Sequence, residues 1–174
     1  MSEKELATLS SKLDRSALKE LYTRYAARVF ALCFRYTNDR MESEDLMHDT
    51  MIKVIKSIGR FQYKGEGSLY AWIRRIAMNL VIDRLKKADN KDLPLIREED
   101  LIIEEPVEEI PITILMRMIS TLPKTQRLIM NLYCVDGFSH EEIANMLGIK
   151  PKASSSLLSK AKKRLNELIE KYGR

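Results

Sequence analysis

Apolar residues recur at three- and four-residue spacing through most of this chain, and the breaks in that rhythm divide it into elements. Between Ser16 and Thr37 the positions Leu18, Leu21, Tyr22, Tyr25, Val29, Leu32 and Cys33 fall on one side of a helix. The run TNDR interrupts it, and Asp39 followed three residues later by Glu42 has the spacing of a capping box. The next helix gathers Leu46, Met47, Met51, Val54, Ile55 and Ile58 on its apolar side, with Gly59 as the expected stop. After the loop GRFQYKGEGS a further helix places Trp72, Ile76 and Leu80 at i+4, with Ile73, Ala77 and Val81 alongside. That stripe predicts Trp72 in the core. On another face of the same helix Arg75, Asn79, Asp83 and Lys87 follow one another at i+4. Arginine and lysine neutralise phosphates, while amide and carboxylate side chains can pair with base edges.

In the second half, TLPKTQRLIMNLYCVDG predicts an amphipathic helix opened near Pro123 and ended by Gly137. FSHEEIANMLG follows, with Ser139 and Glu142 at capping-box spacing and Gly148 where a tight inter-helix turn calls for positive φ. Ala144 is small enough to let the next helix cross closely. Pro151 suits the first turn of that last helix. Its apolar face is Leu157, Leu158, Ala161, Leu165, Leu168 and Ile169. Its opposite face is Lys152, Ser155, Ser156, Ser159, Lys160 and Lys163, with Arg164 beside them. Small hydroxyls flanked by cations fit a recognition helix entering a major groove by its N-terminal end. The fold expected is therefore all-α: two small helical domains, 1–88 and 112–174, the second a helix-turn-helix.

Charge sharpens the division. Residues 88–111 carry nine acidic residues against two basic, a net of −7, with three prolines and no sustained period. This reads as a flexible acidic linker, 89–111. The flanking stretches reverse the sign: 69–87 has a net of +4 and 150–174 a net of +6. The overall formal charge of +5 is mild, but its concentration on two helices points to an anionic partner. Cys33 and Cys134 stand far apart with no ligand-spaced neighbour, as do His48 and His140, so neither a metal nor another cofactor is expected. No stretch has signal-peptide or membrane-span character, which implies a cytoplasmic protein without membrane insertion. No phosphate-binding loop of the G-x-x-x-x-G-K-[ST] kind occurs.

These features leave three classes in view. One is a subunit that brings a larger machine to DNA; another is a free-standing helix-turn-helix regulator. The third is a metal-dependent nuclease built on Asp45 and Asp49, which lie i,i+4 on one helix. The stretches LYTRYAARVFALCFRYTNDRMESEDLMHDTMIKV, GEGSLYAWIRRIAMNLVIDRLKK and LPKTQRLIMNLYCVDGFSHEEIANMLGIKPKASSSLLSKAKKRL, in that order, resemble the extracytoplasmic-function (ECF) type of RNA polymerase sigma factor. The resemblance implies a non-catalytic specificity subunit whose partners are core RNA polymerase, promoter DNA and an anti-sigma factor. It makes Asp45, Leu46, His48, Asp49 and Lys53 polymerase contacts. It assigns Tyr63, Lys64, Ser68, Arg75, Asn79, Asp83, Lys86 and Lys87 to opening and reading the −10 element. Lys152, Ser155, Ser156, Ser159, Lys160, Lys163 and Arg164 would face the −35 element, and the acidic linker would thread the polymerase. The family commonly has Gln at the position of His48 and basic residues at those of Ser155 and Leu157.

Overall fold

The computed structural model describes residues 1–88 and 111–172, and every regular element among them is helical. The chain divides into two compact units, Met1–Lys91 and Asp92–Arg174. The expected linker lies outside the described residues, apart from Pro111 at the start of the second unit's first helix.

The first unit has four helices: α1 (Glu3–Ser11), α2 (Arg15–Thr37), α3 (Arg40–Ser57) and α4 (Ser68–Ala88). Helix α1 is opened by Ser2, whose Oγ accepts the Glu5 N–H at 3.2 Å while Glu5 Oε2 accepts the Ser2 N–H at 3.0 Å. That reciprocal pair satisfies two donors that a helix start would otherwise leave open. Asp14 caps α2 through the Ala17 N–H at 2.9 Å. At the far end of α2, Asn38 turns the chain in the left-handed region (φ 55°), a conformation asparagine tolerates. Asp39 then caps α3 by accepting the Glu42 N–H at 2.8 Å. Only this half of the expected capping box forms, because the Asp39 N–H goes to Thr37 Oγ1 at 3.3 Å.

Helix α2 packs on the other three, with Leu21, Tyr25, Val29, Leu32, Cys33 and Tyr36 buried along its inner face. Opposite stand Leu46, Met51 and Val54 of α3 and Leu69, Ile73, Ala77, Val81 and Leu85 of α4. Each such apolar side chain gains about 1.5–3 kcal/mol on leaving water, offset by the entropy of ordering the chain. The helical stripe of α4 thus runs through Leu69, Ile73, Ala77 and Val81. Trp72, Ile76 and Leu80 lie one step round the helix and are only half-buried. The core place expected for Trp72 is corrected: it faces the loop before α4. Tyr22 likewise leaves the expected core stripe and is exposed. Gly59 does not stop α3; that helix ends at Ser57 and Gly59 lies inside a 3-10 turn, Ile58–Arg60.

The second unit comprises α5 (Ile112–Thr121), α6 (Lys124–Met130), α7 (His140–Leu147) and α8 (Pro151–Tyr172). Helix α6 runs into a π-turn, Asn131–Val135, before Gly137 (φ 74°) releases the chain. Met118, Ile119, Ile129, Leu132, Ile143, Leu158 and Ala161 form the core. Arg127 is buried among them with its Nη1 donating to the Ser120 carbonyl at 2.7 Å, and burial pushes its pKa down. The Ser139–Glu142 capping box expected for α7 is complete, at 3.2 and 2.8 Å. Gly148 ends α7 at φ 69°, as the short turn requires. Ala144 is buried, and α7 packs against α8.

Candidate nucleic-acid and polymerase interfaces

In the first unit the 3-10 turn, the loop after it and the opening of α4 enclose a groove of about 350 Å³. Arg60, Phe61, Gln62 and Lys64 form one wall, and Ser68, Ala71, Trp72 and Arg75 the other. The four α4 residues fall at i, i+3, i+4 and i+7, so a single helix face lines it. The rings of Phe61 and Trp72 stand 5.4 Å apart at 47°, in contact but not coplanar. Three cations round an aromatic floor suit a base held by stacking with its phosphates neutralised. Tyr63 is exposed beside this groove. Partial desolvation, then the Glu66 carboxylate, raises its phenol pKa above the ordinary value.

Of the residues expected at the −10 element, Lys64, Ser68 and Arg75 line the groove. Asn79, Asp83, Lys86 and Lys87 continue along α4 as exposed side chains. Three groove residues, Arg60, Phe61 and Gln62, are not singled out by spacing, and spacing assigns the fourth, Trp72, to the core instead. Their common signal, an aromatic pair bracketing a glycine-rich loop, has no periodicity to reveal it.

On α3, Asp45, His48, Asp49 and Lys53 are all exposed on one face. Leu46 is not: it is 1 % exposed and belongs to the core. Its expected role as a polymerase contact is corrected, since its side chain packs inward and holds α3 in place. Tyr22 of α2 joins the exposed face instead. Its ring stacks near His48 at 6.4 Å, and its hydroxyl lies 3.4 Å from His48 Nδ1 and 3.7 Å from Met47 Sδ. Asp49 faces Arg84 of α4 at 3.8 Å, a partly exposed pair worth little in stability. Asp45 and Asp49 belong to no group of three or more possible metal ligands among the described residues.

In the second unit Lys152, Ser155, Ser156, Ser159, Lys160, Lys163 and Arg164 are exposed along α8. The three consecutive serines of this helix are not equivalent. Ser154 is fully buried, and its Oγ lies 2.9 Å from Nδ1 of His140. His140 also stacks on Tyr133, centroids 4.5 Å apart. This small cluster ties the π-turn, α7 and α8 together. It leaves Ser155 and Ser156 to face outward.

An all-helical first unit with a basic groove, followed by a helix-turn-helix unit with a cationic recognition face, defines a modular DNA-binding protein. Comparison with known proteins gives the family. The description "Sigma-70 region 2" matches residues 21–91, and "Sigma-70, region 4" matches residues 112–165. The ECF RNA polymerase sigma factor SigE of Mycolicibacterium smegmatis is 26 % identical, over 88 % of this chain and 62 % of its own length. SigM of Mycobacterium tuberculosis, also an ECF sigma factor, is 26 % identical over 97 % of this chain and 85 % of its own. The fold is shared with the sigma factor RpoE, solved in complex with the anti-sigma factor NepR from Bartonella quintana. That likeness has a TM-score of 0.54 and 22 % identity, covering 87 % of this chain and 96 % of that one. The chain belongs to the sigma-70 family and is of the ECF type, a non-catalytic subunit of transcription initiation. Sigma factors bind core RNA polymerase and promoter DNA. No helix among the described residues is long and apolar enough to cross a membrane.

Proposed function

We propose a division of labour in which residues 1–88 dock on core polymerase and open the −10 element, 89–111 thread the enzyme, and 112–174 read the −35 element. The exposed α3 face of Asp45, His48, Asp49 and Lys53, extended by Tyr22, is the docking surface. The groove between Phe61 and Trp72 receives an unpaired base, with Arg60, Lys64 and Arg75 on its phosphates. Asn79, Asp83, Lys86 and Lys87 guide the strand beyond it, and Tyr63 and Ser68 border the entrance. The exposed α8 residues approach the duplex. The protein acts in the cytoplasm, and its regulator is an anti-sigma factor.

The observation that carries this reading is the groove itself. Opening DNA costs roughly 1.4 kcal/mol of stacking per step, and no nucleotide-binding loop is present in the sequence to supply it chemically. Binding must supply it, and a cation-rimmed aromatic recess that captures an unstacked base is a physical means of doing so. A promoter-opening assay with core polymerase tests it. Arg75→Ala, in the groove, and Asn79→Ala, on the path beyond it, are each expected to reduce permanganate-reactive thymines at −10 while polymerase affinity is unchanged. Equal loss of opening and polymerase binding would make α4 a structural element only.

A further inference from the structure

A single buried charge links helix α1 to the loop that borders the groove. Glu3 is 4 % exposed although it is the third residue of the sequence. Its Oε1 accepts the Leu69 N–H at 3.0 Å, and its Oε2 accepts the Gly67 N–H at 3.1 Å. The Tyr25 hydroxyl donates toward Oε2 at 3.4 Å, and the Ser68 Oγ lies 3.5 Å from Oε1. Taking a carboxylate out of water is costly unless its lone pairs are filled. Here they are filled by the Gly67 amide just before α4 and the Leu69 amide in its first turn, where the helix dipole also favours negative charge.

That cap normally comes from the side chain of the residue just before the helix. In α4 this residue is Gly67, which has none, so the carboxylate arrives from 64 residues away. Within the loop itself the Ser68 N–H donates to the Gly65 carbonyl at 3.2 Å. Gly65 and Gly67 sit at φ 121° and 84°, and nothing lies within 4 Å of where a Cβ would stand on either. Ser68 passes the constraint on: its Oγ donates to the Gly65 carbonyl at 2.6 Å and accepts the Lys64 N–H at 3.2 Å. Tyr25 braces the other side, its ring stacked 5.9 Å from Tyr70, over which the Arg28 guanidinium lies at 3.6 Å.

We infer that Glu3 is a positioning residue for strand capture: α1 clasps the loop through this carboxylate and thereby fixes Lys64 and Ser68 at the groove wall. The inference rests on the groove being the strand site. Two glycines at positive φ would otherwise leave Lys64 free to sample many backbone states, and ordering them would be subtracted from the binding free energy at each capture.

The test uses the full chain assembled with core polymerase, as wild type, Glu3→Gln, Ser2→Ala and Arg75→Ala. Each is titrated with a fluorescent single strand carrying the non-template −10 sequence of a promoter that the wild-type holoenzyme opens. The same strand is then used with abasic sites placed one at a time. Glu3→Gln is expected to weaken binding of the intact strand about tenfold, the loss of one charge-assisted hydrogen bond, and to flatten the abasic profile. Hydrogen exchange at the Gly67 and Leu69 amides rises, and polymerase affinity stays within about twofold, well under the span of one such bond. Ser2→Ala, which loosens only the start of α1, gives a smaller change in the same direction. A wild-type abasic profile in Glu3→Gln overturns the inference while Arg75→Ala still weakens the strand. If Arg75→Ala has no effect, the groove reading itself fails. Equal losses of strand and polymerase affinity in Glu3→Gln and Ser2→Ala also overturn it, because a general destabilisation predicts that pattern.

Discussion

Three adjacent serines in α8 give the sharpest test of the second unit. Replacing each in turn with leucine changes the same atoms at neighbouring positions, yet the structure assigns them opposite environments. Ser154 is fully buried against His140. Leucine there overfills a packed site at about 1–3 kcal/mol. It also removes a hydrogen bond to a half-buried ring nitrogen, about 1 kcal/mol more. The sum is roughly 2–4 kcal/mol. For a domain of this size 1 kcal/mol moves Tm by about 4–8 °C, so a shift of at least ~8 °C is expected. Ser155 and Ser156 are exposed, so leucine at either is expected to stay within about 0.5 kcal/mol of wild type. Far-UV circular dichroism melts of the full chain measure the shift, and hydrogen exchange in α7 and α8 assigns it to this unit. In the holoenzyme, Ser155→Leu and Ser156→Leu should weaken −35 binding without loss of stability. Three equal melting temperatures would refute the burial of Ser154 and with it the orientation of the recognition helix.

Five further outcomes are expected. Leu46→Ala should destabilise the first unit by about 2–5 kcal/mol, measured by urea unfolding followed through Trp72 fluorescence. Asp49→Ala should instead leave stability nearly unchanged and lower polymerase affinity. Lys160→Ala and Lys163→Ala should each reduce the log–log salt slope of −35 binding by about one; an unchanged slope removes that residue from the phosphate contacts. Cys33, whose thiol burial pushes up to about 12, should resist alkylation at pH 8 in the folded protein, while exposed Cys134 reacts. Hydrogen bonds from the Ser139 backbone and hydroxyl hold the Glu142 carboxyl below its ordinary 4.5. Its stabilisation of α7 is therefore complete above that value and fades as pH falls through the depressed one, a dependence that Ser139→Ala should reduce in acid titrations of α7 helicity.

The amino-acid sequence alone determined α2, α3, α4, α7 and α8, the start of α6 and the helix-turn-helix, because these follow from local periodicity, caps and glycine placement, but it did not reveal α1 or α5. Ser139 with Glu142 and the positive φ of Gly148 were legible for that reason: each is settled within a few residues. Periodicity could not say which of two adjacent stripes on α4 faces inward, and so it misplaced Trp72. The resemblance that made Leu46 a contact could not tell a buried neighbour from an exposed one, since that depends on where α2 lies. Only the tertiary structure brought Phe61 to Trp72, Ser154 to His140 and Glu3 to the start of α4. These are contacts between distant segments, fixed by how the helices within each unit pack on that unit's core, and no local pattern encodes the partner of a side chain 64 residues away.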